Sequence, residues 1–314
     1  MERALVATPT ADRSRADRRA KQRRAVDQTA TGLLWLAAIL VVLMLIAFIG
    51  YLFVLGAPWI TWHFLTAYPD HSGTLDAKTG AIQGGVGPEI FNSFYILAMT
   101  LIFTVPVALA AGIYLQEYER GGWFREAVQF SAESLATVPS IVMGLFGLLI
   151  FLQYFHLQFS ALAGAFTLTL LNLPALMRVT QEALAGVPQT YREASMGLGA
   201  TKWQTIIRSV LPSAIPAMTT GVVLISGRIF GETAALIFTA GTSVASTGAF
   251  DWNPLHPAET LAVHVWSVKT VGYSDAIPVG NASSLVLLVV VLLFNVAARV
   301  GGRYLSKALT GKSS

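Results

Sequence analysis

From Gly32 to Ile60 the chain runs without a single Asp, Glu, Lys or Arg. A helix over that stretch is long enough to cross a hydrocarbon core about 30 Å thick, which takes ~20 residues. Five further apolar runs follow, at about Ile90–Leu115, Leu135–Phe155, Ala161–Met177, Ala214–Ala240 and Ser284–Val300. Of the 314 residues 54% are hydrophobic and 12% charged, against about 25% charged in an ordinary soluble domain. A water-soluble fold of that composition could not cover its surface, so the expected class is all-α, a polytopic membrane protein with about six transmembrane helices. The absence of cysteine excludes a disulfide scaffold, a thiol nucleophile and thiolate metal ligation.

Residues 1–31 carry Arg3, Arg13, Arg15, Arg18, Arg19, Lys21, Arg23 and Arg24 with Asp12, Asp17 and Asp27 among them, and read as a disordered basic tail. The first span, 32–60, is too long for a signal-peptide core and lacks a small-residue cleavage site, so it is expected to be retained. An exterior loop at 61–88, rich in glycine (Gly73, Gly80, Gly84, Gly85, Gly87), leads to a core domain at 89–302 and a short tail at 303–314. Few residues separate the third and fourth spans, and His156–Ser160 reads as a tight helical hairpin. With the N-terminus inside, 17 of the 21 Lys and Arg lie on the interior side and two, Lys78 and Lys269, outside. That asymmetry predicts two cytoplasmic termini.

The longest interior loop, about 187–212, is not a polar linker. Thr190 stands three residues before Glu193, the spacing of a capping box on a short helix. Leu198 and Trp203 add apolar surface, and Gly197 and Gly199 permit a turn. A short exposed helix held between two spans is a docking element; the plainer alternative is an amphipathic connector.

This loop resembles the EAA motif of ABC importer permeases: Glu-Ala-Ala, three residues, Gly, nine residues, Ile-x-Leu-Pro. The chain supplies Glu193, Ala194, Ser195, Gly199, Leu211 and Pro212 at matching spacing, departing at Ser195 and Ser209, where Ala and Ile are expected. The segment Gly227–Ala240 is similar to the fifth span of phosphate permeases of the PstA type, as are Gly112–Tyr118, Val138–Leu145 and Pro257–Trp266. The resemblance implies a type I ABC importer (MetI-like) permease fold and one half of a phosphate channel. It implies as partners a PstC-like second permease, two PstB-like ATPase subunits that hold the ATP and Mg, and a PstS-like phosphate-binding protein. Glu193, Ala194, Ser195, Gly197, Leu198, Gly199, Ala200, Lys202 and Trp203 would then form the coupling surface toward the ATPase. No cofactor is expected on this chain, and no catalysis by it.

Arg228 stands near the middle of the fifth apolar run, where a charge costs ~2.5–3.5 kcal/mol on insertion scales and marks a bundle interior or a substrate path. Glu232 follows at the i+4 position, so the two could neutralise each other. Arg178 and Glu182 repeat that spacing closer to the cytoplasmic end of the fourth span. A guanidinium offers a planar donor fork suited to phosphate oxygens, which makes Arg228, Glu232 and Arg178 substrate-path candidates. Structural ion pairing, or snorkelling for Arg178, is the competing reading. Pro106, Pro139 and Pro174 interrupt spans and free carbonyls that protein or water must satisfy.

Other chemistries are set aside. Gly311-Lys312-Ser313 imitates the end of a P-loop, but Ser306 stands where its first glycine belongs. The histidines show no metal-ligand spacing, and only Glu259 lies as an acidic neighbour between His256 and His264, so no metal site is expected. No GxSxG or Ser/His/Asp arrangement appears. The exterior segment Asp251–Val271, with Trp252 and Trp266, is expected to lie at the interface as a short helix. The basic tail lacks interleaved aromatics and suits anionic lipid headgroups, not nucleic acid.

Overall fold

The structure is a computed structural model that describes residues 9–69, 84–119, 121–244, 250–271 and 276–310. Residues 70–83 of the predicted exterior loop, Arg120 and Gly311–Ser313 lie outside those. The chain divides into two units, Met1–Val54 and Leu55–Ser314. The described residues of the first lie in helix α1, Pro9–Gly56, whose last two residues belong to the second unit. The tail predicted to be disordered is therefore helical from Pro9 onward. Its Ala, Arg, Lys and Gln are strong helix formers, and Pro suits a first helical turn. Nearly all apolar side chains between Leu33 and Val54 are exposed, as expected of a helix solvated by hydrocarbon.

The second unit begins with α2, Trp62–Thr66, capped by Thr61 Oγ1, which accepts from the Phe64 amide at 3.1 Å. Helix α3, Gly87–Ile113, continues as a π-helical turn to Tyr118. Next come α4, Trp123–Ala136, and α5, Ser140–Gly147, the latter extended to Tyr154. Helix α6 covers Ala161–Ala185; α7, Gln189–Gly197; and α8, Lys202–Thr205. A π-helical stretch, Ile206–Val210, joins α8 to α9, Leu211–Phe230. Short α10, Ala234–Ile237, then α11, Leu261–Val271, and α12, Ala276–Thr310, complete the order.

Among the described residues, five segments are long and apolar enough to span a membrane: Asp27–Trp59, Gly87–Tyr118, Ala161–Ala185, Lys202–Phe230 and Ala276–Tyr304. A sixth forms only if α4 and α5 count as one, and they are bent by 103° to each other. The predicted third span, in which Pro139 is expected to interrupt the helix, is thus broken near its start. Pro139 disfavours helical geometry at the residue before it, and Thr137 closes α4 by donating from Oγ1 to Ser134 O at 2.8 Å. The hairpin at His156–Ser160 is present. His156 takes φ 55° there, and Ser160 caps α6 by accepting from the Ala163 amide at 3.2 Å.

Four helices form the bundle: α3 packs on α6, α6 on α9, and α9 on α12. Glycines allow close approach where the helices cross. A methyl added at Gly112 would meet Thr180 Cβ at 2.7 Å, and one at Gly221 would collide with Val179. Several buried hydroxyls are satisfied within the bundle, although Thr100 Oγ1 and Ser283 Oγ have no hydrogen-bond partner. Thr167, Thr180 and Thr239 each donate to a carbonyl four residues back, and Thr104 bonds Thr169 across the α3–α6 interface at 3.1 Å. In a bilayer such groups have no water to turn to.

Helix α11 forms within the exterior segment expected to hold a short helix, and its first turn is packed inside the chain. Leu261, Ala262, Val263 and His264 are buried, packed against α12 and α3, while Trp252 and Trp266 remain exposed.

Candidate functional site

The loop between α6 and α9 folds as two short helices, α7 and α8. Gly199 makes the turn between them at φ 87°, a left-handed conformation that a side chain would strain. The expected capping box of Thr190 and Glu193 does not form. Pro188 occupies the N-cap of α7 and Thr190 falls inside the helix. The capping box sits one helix later, where Thr201 Oγ1 accepts from the Gln204 amide at 3.3 Å and Gln204 Oε1 from the Thr201 amide at 3.0 Å.

Of the residues predicted to couple, Glu193, Ala194, Gly197, Leu198, Gly199, Lys202 and Trp203 are exposed, and Ser195 and Ala200 half-buried. Leu198 is 91% exposed, an extreme value for a leucine, with Tyr191, Met196, Trp203 and Ile207 also uncovered. Apolar side chains grouped in this way mark an interaction surface.

What ties the loop to the bundle was not singled out from the sequence. Arg192 donates from Nη2 to Glu117 Oε1 at 2.6 Å and to Leu184 O at 3.0 Å, and from Nη1 to Val187 O at 2.8 Å. Its guanidinium therefore joins α7 both to the end of the second span and to the last carbonyls of α6, where a cation also complements the helix dipole. Lys202 Nζ lies 5.1 Å from the centre of the Tyr118 ring, within cation–π range. Ser195 Oγ and Thr205 Oγ1, 2.9 Å apart, connect α7 to α8. A hydroxyl thus serves at the position where the motif expects alanine.

Arg228 lies in the last turn of α9 and not in mid-span. The apolar run continues to Ala240, but the helix stops at Phe230, with Gly231 as its C-cap at φ −90°, ψ 0°. Glu232 is therefore off the face that carries Arg228, and the predicted i, i+4 pair does not form. Instead Glu232 Oε1 accepts from the Ala235 amide at 3.4 Å. Among the described residues no carboxylate reaches Arg228. Its side chain is exposed on the chain's own surface, four residues from exposed Leu224 on the same helix face.

Arg178 does pair with Glu182, from Nε to Oε1 at 3.3 Å, with both side chains more than two thirds exposed. An open cleft of about 580 Å³ between α4 and α6 includes Arg178, Gln129, Glu133 and Gln181 in its lining. Val179 meets Gly221, and Arg228 lies seven residues beyond Gly221, about 10 Å along the helix at ~1.5 Å per residue. The two arginines thus occupy different levels of the bundle and do not form one clamp.

Folding also gathers a group that linear spacing hides. Glu89 from the first turn of α3, Glu259 and His264 of α11 come together in the interior. His264 Nδ1 is 3.5 Å from Glu89 Oε1 and 3.8 Å from Glu259 Oε1. Burial alone would lower the imidazole pKa, but the two carboxylates more than offset it and hold the group above its ordinary value. A signal existed in Glu259 and His264 at i, i+5, but Glu89 stands 170 residues before Glu259.

Similar proteins bear on what this arrangement is. The chain is 38% identical over 300 residues to the "Probable ABC transporter permease protein YqgI" of Bacillus subtilis (strain 168), covering 92% of this chain and 99% of that protein. It is 31% identical over 254 residues to the "Phosphate transport system permease protein PstA" of Haemophilus influenzae, covering 79% and 88%. Its fold matches a chain of the inward-facing MetNI methionine ABC transporter with a TM-score of 0.52 at 20% identity, over 70% of this chain and 94% of that one. Residues 105–311 match the family described as "Binding-protein-dependent transport system inner membrane component". The chain belongs to that family: it is an integral inner-membrane permease of the ABC importer class, with a MetI-like fold.

Proposed function

We propose that this permease is the PstA-type subunit of an ATP-driven inorganic phosphate importer and forms half of its translocation path. The observation that carries the reading is Arg228: a guanidinium at the end of an apolar span, exposed on this chain, with no carboxylate beside it among the described residues. An oxyanion passing between two permeases would neutralise that unpaired cation through a bidentate contact. The sequence similarity to PstA over most of the chain supports phosphate as that oxyanion. Arg178, already paired with Glu182, would act at a second level of the route, and Glu232 would help shape the turn beyond Arg228.

In this scheme both termini face the cytoplasm, and the surface from Glu193 to Trp203 docks on the ATPase. The partners are a PstC-like permease, two PstB-like ATPase subunits carrying ATP and Mg, and a PstS-like binding protein, with lipid around the spans. The chain itself hydrolyses nothing. A permease for sulfate, molybdate or phosphonate is the second reading, since Arg228 would serve any of them. Uptake of labelled phosphate by cells carrying the complex, challenged with each of these anions, separates the two. Phosphate should enter and unlabelled phosphate alone should compete; full competition by sulfate or molybdate would reassign the substrate.

A further inference from the structure

We propose that Glu89, Glu259 and His264 form a site for one divalent transition-metal cation of the Zn2+ or Mn2+ type, which would fasten the start of α3 to α11. The three side chains are 0%, 0% and 2% exposed, and each offers a ligand atom within 4.8 Å of the others. Both carboxylate oxygens of Glu89, Oε2 of Glu259 and both ring nitrogens of His264 lack a hydrogen-bond partner. So many unsatisfied polar atoms in one buried place call for an occupant.

The spacing fits a metal better than direct hydrogen bonding. The separations of 3.5 and 3.8 Å between His264 Nδ1 and the two carboxylates are long for a charge-assisted hydrogen bond. They are close to the ~3.4 Å between neighbouring ligands that each lie ~2.1 Å from a tetrahedral ion. Charge points the same way. Among the described residues no Lys or Arg pairs with either carboxylate, and a 2+ ion would neutralise two carboxylates while leaving the imidazole neutral, as a ligand must be. Two oxygens and one imidazole nitrogen suit Zn2+ or Mn2+, whereas Ca2+ and Mg2+ favour all-oxygen sites.

The surrounding contacts hold the donors in place. Ser267 Oγ donates to Glu259 Oε1 at 2.9 Å, and Asn92 Nδ2 to the Glu259 carbonyl at 3.1 Å. Ser93 Oγ donates to the Glu89 carbonyl at 2.7 Å and accepts from the Leu261 amide at 2.9 Å. Outer contacts of this kind fix ligand orientation in metal sites.

The test uses the full chain in its membrane complex, purified through an epitope tag without metal resin, loaded with Zn2+ or Mn2+ and washed in metal-free buffer. Elemental analysis should find about one ion per chain. EDTA should lower the unfolding temperature, and Zn2+ or Mn2+, but not Mg2+, should restore it. His264→Ala and Glu259→Gln should each weaken retention at least ~10-fold and lose the EDTA response. The proposal is overturned if the folded parental chain keeps no ion and its unfolding ignores all these additions, the behaviour of a cluster held by protons alone. It is equally overturned if both variants retain metal as the parent does. Should the variants not fold, the parental measurements alone decide.

Discussion

Arg192 grips Glu117 through both carboxylate oxygens, from Nη2 to Oε1 at 2.6 Å and from Nε to Oε2 at 3.4 Å, with little of either side chain exposed. The pair fastens α7 to the end of the second span. Arg192→Ala would leave a mostly buried carboxylate uncompensated and free the Leu184 and Val187 carbonyls. Breaking such a pair costs about 3 kcal/mol, to be read as a lower unfolding temperature in detergent. Exchanging the two residues, Glu117→Arg with Arg192→Glu, should recover only part of the loss, because a glutamate cannot donate to those carbonyls.

The apolar tip of the loop makes the opposite forecast. Leu198 contributes almost nothing to the fold of this chain, so Leu198→Glu should change stability by less than ~0.5 kcal/mol. Co-purification of the ATPase should nevertheless fall, as it should for Glu193→Lys. Undiminished recovery of the ATPase with both variants would place the docking surface elsewhere.

The contact between α5 and α10 leaves no space for growth. A Cβ at Gly144 would lie 2.8 Å from Ala235 Cα and 3.1 Å from Ala234 O, and backbone cannot swing aside as a side chain can. Gly144→Val should therefore destabilise by about 1–3 kcal/mol and disturb the turn between Arg228 and α10. Thermal unfolding and the yield of folded protein check this.

Arg178 and Glu182 form an exposed i, i+4 pair, of a kind that contributes little to stability. Arg178→Ala should leave the unfolding temperature almost unchanged while reducing phosphate uptake. A large loss of stability with normal uptake would make the pair structural.

Most of the span positions could be read from the sequence because hydrophobic length is a local property. The helical character of the loop at 187–212 was legible too, through the spacing of Glu193, Gly199 and Pro212. The end of α9 was not: Ala234–Ala240 continues the apolar run past Gly231, and hydropathy does not register a break that tertiary packing sustains. Pro139 was recognised as an interruption, but not as a bend of 103°. The Arg192–Glu117 pair and the Glu89–Glu259–His264 group join residues 75 and up to 175 positions apart, and such meetings are set by helix packing, not by any local pattern.

The central claim is that the Arg228 guanidinium serves the anion and not the fold. Its direct test is ATP-driven phosphate uptake into liposomes containing the assembled complex, with parental chain, Arg228→Lys or Arg228→Ala. The account predicts that all three assemble and hydrolyse ATP, that Arg228→Lys, retaining the charge but not the fork, transports slowly, and that Arg228→Ala transports none. Uptake by Arg228→Ala at the parental rate would contradict it.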